Sequence, residues 1–168
     1  MQQSPPALLT ARWSSTDLDT QFSGVDLMNE AQAADYIDTF LAFDDRRKNW
    51  AVIEDGVAVG NVGLSAIEMR HGTAWAYYWL AEGVRGRGYA KHGLQAVAEW
   101  AFDAGLFRLE LGHRVNNPAS CRVASAAGFA AEGLERQKLH YGAERFDVET
   151  HARLATDPKP ITASLPFQ

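Results

Sequence analysis

The stretch Leu80-Ala81-Glu82-Gly83-Val84-Arg85-Gly86-Arg87-Gly88-Tyr89-Ala90-Lys91-His92-Gly93-Leu94 joins two segments of different period. Before it, Thr73 to Leu80 is rich in aromatic and small apolar residues and reads as a strand. After it, Leu94, Val97, Ala98, Ala101 and Phe102 recur at spacings of three and four. Tyr89 to Gly105 is therefore expected to be a helix, with Gly105 at the left-handed position beyond its end. A helix start has N–H groups without intrahelical partners and carries about +0.5 of a charge, so it attracts anions. Gly86 and Gly88, lacking Cβ atoms, let the backbone turn sharply and approach a diphosphate closely. Arg85, Arg87 and Lys91 make the corner basic in a chain whose formal net charge is −5. A P-loop needs G-x-x-x-x-G-K-[ST], which is absent. A dinucleotide fingerprint begun at Gly86 would need its third glycine where Lys91 stands.

His71-Gly72 opens the Thr73 to Leu80 run. Upstream, Trp50 to Ile53 and Val57 to Leu64 flank Glu54-Asp55-Gly56, a hairpin signal, so three strands should form an antiparallel meander. Asn29 is placed to cap a helix whose buried stripe is Ala33, Tyr36, Ile37, Phe40 and Leu41, ending by Asp44-Asp45. Leu8 to Trp13 suits an opening strand, and Ser14-Ser15-Thr16-Asp17 offers caps for a weak helix. Downstream, Phe107 to Leu111 alternates like a strand. Asn117-Pro118 reads as N-cap and first residue of a helix closing at Gly128, and strands near Ala130 to Leu139 and Glu144 to Ala155 turn at Tyr141-Gly142. The whole is a mixed α/β domain over residues 1–155, followed by a proline-containing tail, 156–168.

At 168 residues, with 46% hydrophobic and 22% charged residues, the chain should bury one core and carry one principal site. Its acidity argues against a nucleic-acid partner. With no long apolar run and no basic-apolar leader pattern, no membrane partner is expected and a cytoplasmic location is. Cys121 is the single cysteine, and no two of the five histidines stand at i, i+4, so neither an internal disulfide nor a metal cofactor is expected.

The corner Arg85-Gly86-Arg87-Gly88-Tyr89-Ala90 fits [QR]-x-x-G-x-[GA] and resembles the central motif of the GNAT N-acetyltransferase superfamily. Tyr78-Trp79-Leu80, Asn117-Pro118-Ala119-Ser120 and Gly128-Phe129-x-x-Glu132-Gly133 are similar to its RimJ/RimL-like branch. The resemblance covers residues 77–133 closely. It implies a mostly antiparallel sheet, splayed between the strand ending near Leu80 and the strand Phe107 to Leu111, with acetyl-CoA as cosubstrate and its pantetheine arm in the gap. It further implies that main-chain groups near Leu80 pair with pantetheine, that amides from Arg85, Gly86, Arg87, Gly88, Tyr89 and Ala90 hold the pyrophosphate, that Asn117 touches the arm, and that Ser120 faces the sulfur.

Acetyl transfer to an amine requires a neutral amine, a polarised carbonyl and a proton for the thiolate. Ser120 is the candidate acid. Tyr78, His140 and Tyr141 are candidates for contacting the acceptor, and the aromatic cluster Trp75, Tyr77, Tyr78 and Trp79 divides between two sheet faces. Trp100 and Phe102 read as packing residues. Where close RimL-like enzymes carry a glutamate, Leu139 stands, so the base is open among His140, Tyr141, Glu110 and His113. Neutralising an α-amine of pKa about 7.8 costs about 1 kcal/mol at pH 7, against 4 to 5 for lysine. The expected acceptor is thus a protein N-terminal α-amine or a small-molecule amine. An acyl-CoA-binding domain without turnover is the alternative, and the sequence leaves open whether the chain forms a homodimer.

Overall fold

The computed structural model describes residues 29–161. The expected strand Leu8 to Trp13, the helix capped by Ser14 to Asp17 and residues 162–168 of the tail lie outside the described residues.

Helix α1 spans Glu30–Phe40, and the Asn29 side chain accepts from the Gln32 N–H at 2.9 Å, satisfying one of the donors a helix start leaves open. Ala33, Tyr36 and Leu41 are buried as the spacing predicts, but Phe40 is 44% exposed. Its ring packs tilted against Tyr36, 4.9 Å between centroids, instead.

Strands β1 (Lys48–Glu54) and β2 (Val57–Glu68) meet at Asp55 and Gly56, with φ of 49° and 80°. Two successive positive φ values make the tight turn whose twist matches a hairpin, which is why Gly follows Asp there. Strand β3 (Thr73–Leu80) completes the antiparallel meander. Helix α2 (Tyr89–Asp103) follows, then β4 (Arg108–Arg114), α3 (Pro118–Ala126), β5 (Ala130–Tyr141) and β6 (Glu144–Leu154). Strand β4 starts one residue later than the sequence suggests and ends three residues later.

Both helix ends predicted from glycine close in the same way. Gly105 has φ 97°, Leu106 N–H reaches Ala101 O and Gly105 N–H reaches Phe102 O. Gly128 has φ 87°, Phe129 N–H reaches Ala124 O and Gly128 N–H reaches Ser125 O. These paired bonds are the Schellman arrangement, and they point the chain back into the sheet after each helix.

The described strands form one six-stranded sheet in the order β1-β2-β3-β4-β6-β5, antiparallel except for β3 against β4. Alternation puts Ala74, Ala76, Tyr78 and Leu80 on one face and Trp75, Tyr77 and Trp79 on the other. The first face carries α2 and α3: Gly93 packs on Val62, and Trp100 meets Trp50 edge-on at 5.0 Å. Tyr36 of α1 lies beside Tyr77 on the second face. Leu64, Leu94, Val97, Ala98, Leu109 and Ala124 are fully buried in the core between sheet and helices. Among the described residues no helix is long and apolar enough to cross a membrane.

Candidate functional site

The parallel pair β3 and β4 is joined only at Thr73, Ala74 and Trp75, opposite Arg108, Leu109 and Glu110. Beyond Trp75 the two strands part. Strand β3 stays with β2 as far as Leu80, and β4 stays with β6 as far as Arg114. An opening through the sheet results, bordered by strand edges that no longer pair with each other.

Two cavities meet in that opening, of about 610 and 470 Å³, and Tyr78, Trp79, Asn117 and Ser120 line both. The smaller lies on the helix face and takes in Leu80, Arg85, Gly86, Gly88, Tyr89 and Ala90. The larger extends to the other face, among Tyr36, Arg47, Tyr77, Arg114, Leu139 and Tyr141.

The corner is built as the glycines require. Gly86 and Gly88 have φ of 78° and 87°, and no other heavy atom comes within 4 Å of where a Cβ on Gly86 would stand. Gly88 is the N-cap of α2 and, as a glycine, offers no side-chain acceptor to the first-turn amides, and Gly88, Tyr89, Ala90 and Lys91 all border the smaller cavity. The guanidinium of Arg85 folds back, Nε and Nη2 donating to Leu80 O at 3.1 and 2.9 Å, and ties the loop to the end of β3. Arg87 donates to Glu54 Oε1 at 2.7 Å and to Gly83 O at 3.1 Å. The Tyr89 hydroxyl donates to the same Glu54 oxygen at 2.5 Å. That bond, with the Arg87 charge, holds the Glu54 carboxyl below its ordinary range, and the same bond pushes the Tyr89 phenol up against the opposing Arg87 charge.

A family model described as an acetyltransferase (GNAT) domain matches residues 6–130. The chain belongs to the GNAT acetyltransferase family. It is 32% identical over 108 residues to the ribosomal-protein-serine acetyltransferase of Escherichia coli K12, a match that spans 64% of this chain and 60% of that protein's length. In three dimensions it is similar to RimL, a ribosomal L7/L12 alpha-N-protein acetyltransferase solved with coenzyme A, with TM-score 0.77 and 22% identity, covering 89% of this chain and 88% of the other. The microcin C7 self-immunity acetyltransferase MccE, solved with acetyl-CoA and AMP, gives TM-score 0.76 and 17% identity over 89% and 86%. Both likenesses describe the GNAT fold.

In this GNAT chain Ser120 sits in the first turn of α3. The Asn117 side chain accepts from the Ser120 N–H at 3.2 Å, so one residue both starts the helix and fixes where the hydroxyl stands. The Tyr78 hydroxyl donates to Ser120 Oγ at 3.1 Å. Burial pushes the Tyr78 phenol up, against the opposing effect of that bond, which keeps it a proton donor. Of the three residues at the β5 turn, Leu139 and Tyr141 line the larger cavity. His140 between them is exposed and points away, because neighbours on a strand face opposite sides. Glu110 is engaged by Arg108 at 2.8 Å on the paired side of β4 and does not line the opening, whereas His113 does.

Sequence reasoning missed several lining residues. Arg47 comes from the loop before β1, with Nη1 donating to Thr39 O at 2.6 Å, and Arg114 ends β4, stacked over Tyr141 and Phe146. The Glu54 carboxylate lies 33 residues from Arg87, and nothing in the local pattern joins them. No spacing signals contacts of this kind, because each is made by the fold of a different strand.

Proposed function

We propose that this protein transfers the acetyl group of acetyl-CoA to a primary amine by direct attack, and that the acceptor is an N-terminal α-amine of a protein. The observation that carries the reading is the opening between β3 and β4, where the Tyr78–Ser120 pair stands at the junction of two cavities. Pyrophosphate fits the amides of Arg85 to Ala90, as a helix start with glycines on both sides of Arg87 favours. Pantetheine fits between the separated edges of the opening, with Asn117 beside it. The amine enters from the other face. Its lone pair forms the C–N bond as the C–S bond breaks, Ser120 Oγ–H gives its proton to the departing thiolate, and Tyr78 restores the serine proton; the nitrogen, positive after attack, releases its surplus proton to solvent, and solvent returns one to Tyr78.

The acceptor follows from charge. Among the described residues, the lining of the larger cavity carries the guanidiniums of Arg47 and Arg114 and no carboxylate. A polycation is repelled there, whereas a peptide N-terminus followed by neutral or acidic residues is not. The name of the E. coli relative, a ribosomal-protein-serine acetyltransferase, agrees with such an acceptor.

The test is release of free CoA from acetyl-CoA with three acceptors: a peptide with a free N-terminal serine, the same peptide blocked at its N-terminus but carrying an internal lysine, and spermidine. The free N-terminus should be consumed much faster than the others. Preference for spermidine or for lysine would overturn the acceptor assignment. A melting-temperature rise with acetyl-CoA, but no CoA release with any amine, would instead mark an acyl-CoA-binding domain.

A further inference from the structure

We propose that His113, Cys121, Glu149 and His151 form a structural binding site for a single zinc ion that pins α3 to the sheet. One ligand atom from each lies within 4.8 Å of every other. They converge from three elements: His113 from β4, Glu149 and His151 from β6, and Cys121 from α3. The antiparallel register places His113 directly opposite Glu149, and His151 follows two residues on, so all three point to the face that α3 covers.

The hydrogen bonds of the two imidazoles supply the second, independent observation. His113 Nδ1 is 3.0 Å from Arg114 O, and His151 Nδ1 is 3.3 Å from Phe129 O. A carbonyl oxygen only accepts, so each Nδ1 carries the hydrogen, and in the neutral ring each Nε2 is a bare lone pair. Those two lone pairs face one another at 3.0 Å, and Glu149 Oε1 lies 2.8 Å from His151 Nε2 and 3.9 Å from that of His113. Three electron-rich atoms converging where His151 is 1% and His113 8% exposed need a cation among them. An imidazole held through Nδ1–H by a carbonyl, with Nε2 turned inward, is also how metal-bound histidines are oriented.

A single proton would serve the three N and O atoms but has no use for the fourth. The Cys121 sulfur stands 3.7 Å from Glu149 Oε1, completing a set of two nitrogens, one sulfur and one carboxylate oxygen. Bonds of 2.0 to 2.3 Å in a tetrahedron put ligand atoms roughly 3.3 to 3.8 Å apart, and the observed separations straddle that range. Mixed imidazole, thiolate and carboxylate donors in a closed four-fold set suit zinc over magnesium or calcium. Since Cys121 follows Ser120, the ion would fix the first turn of α3 against β4 and β6. The site stands apart from the acetyl-transfer reading and does not depend on it.

The full chain, stripped with a chelator and dialysed, is titrated with Zn²⁺ against a chromogenic competitor, and separately with Co²⁺ while absorbance is followed. We expect one ion per chain and a thiolate-to-Co²⁺ charge-transfer band. Cys121→Ser should lose that band while keeping the ligand-field bands, and Glu149→Gln and His113→Gln should weaken Zn²⁺ binding by at least about tenfold. Glu149 and Cys121 are only part-buried, so their variants serve where a histidine variant fails to fold. Absence of uptake by the wild-type chain, a Co²⁺ spectrum without the thiolate band, or equal affinity in the Cys121→Ser and Glu149→Gln variants would each overturn the site and leave a shared proton in its place.

Discussion

The Tyr78 hydroxyl donates to Ser120 Oγ across 3.1 Å, joining the middle of β3 to the first turn of α3 over the opening between β3 and β4. The bond fixes the serine rotor, so that the serine's own hydrogen is turned away from Tyr78 and into the opening. In the proposed reaction the two hydroxyls act as one relay. Ser120→Ala and Tyr78→Phe should each lower kcat by about 100-fold, within the usual range for a positioned acid, with KM for acetyl-CoA little changed. Groups in one relay are not additive, so the double variant should be about as slow as the slower single one. The Asn117 cap is to the Ser120 backbone N–H and survives Ser120→Ala. Steady-state kinetics of the three variants check this, and a rise in KM with kcat intact would reduce both residues to binding.

Gly86 and Gly56 make a matched pair. Their φ values are 78° and 80°, and no other heavy atom stands within 4 Å of a Cβ built on either. Alanine at each should cost the same left-handed strain, about 1 to 2 kcal/mol of stability. Gly86 faces the cavity that begins α2, whereas Gly56 turns the β1–β2 hairpin. Gly86→Ala should therefore weaken acetyl-CoA binding at least tenfold in calorimetry, since a methyl stands where the diphosphate must approach, while Gly56→Ala binds as the wild type does. Equal binding by both variants would move the diphosphate elsewhere.

Local chemistry is what the sequence made legible. Helix α2 with its glycine ends, Asn29 and Asn117 as caps, the Asp55-Gly56 turn and the meander are all set by residues within a turn of one another, where spacing carries the physics. The corner at Arg85 to Ala90 could be read for the same reason. Its surroundings could not. That β3 and β4 separate after Trp75 depends on how few residues pair between strands whose partners stand 35 positions apart. That His113 meets Glu149 and His151 depends on the register of β4 against β6 with α3 and β5 intervening in sequence. A search for histidines one helical turn apart has no means of finding donors brought together by pleat and register. Phe40 shows the opposite failure, because a residue at the edge of an apolar stripe can as well line a cavity as enter the core.

Burial of phenols at α1 makes part of the chain's stability fall at alkaline pH. Tyr36 is pushed up to about 12, first by burial and then by the neighbouring Tyr77, which is itself raised by burial. A folded-state value above the unfolded value of about 10 means that the folded chain keeps a proton the unfolded chain releases. The stabilisation is present in full below about pH 10 and is lost as pH rises through about 12, amounting for Tyr36 to roughly 3 kcal/mol over the two units. Urea unfolding at pH 8 and about pH 11 should show a loss of 1 to 2 kcal/mol from this residue, and Tyr36→Phe should remove that part of the decline. An equal decline in the variant would assign it to other groups.

In the proposed reaction, Leu139 leaves the acceptor amine to lose its proton to solvent. It lies half-buried on β5 opposite Phe146, and its side chain lines the larger cavity, where the described residues offer no carboxylate. An α-amine then reaches the thioester only in the fraction already neutral in solvent. With an acceptor of pKa about 7.8, kcat/KM should rise about tenfold per pH unit from pH 6 and level off near 8. Leu139→Glu places a base at that wall, beside Arg114, which favours its charged form. It should raise the rate at pH 6 by about tenfold and change it little above pH 8, because the gain is limited to the fraction of amine that solvent leaves protonated. The two pH–rate profiles, measured on one N-terminal serine peptide, decide it. A wild-type profile already flat down to pH 6 would mean that a group on this chain takes the proton, and Tyr141, which lines the same cavity, would be the next residue to change.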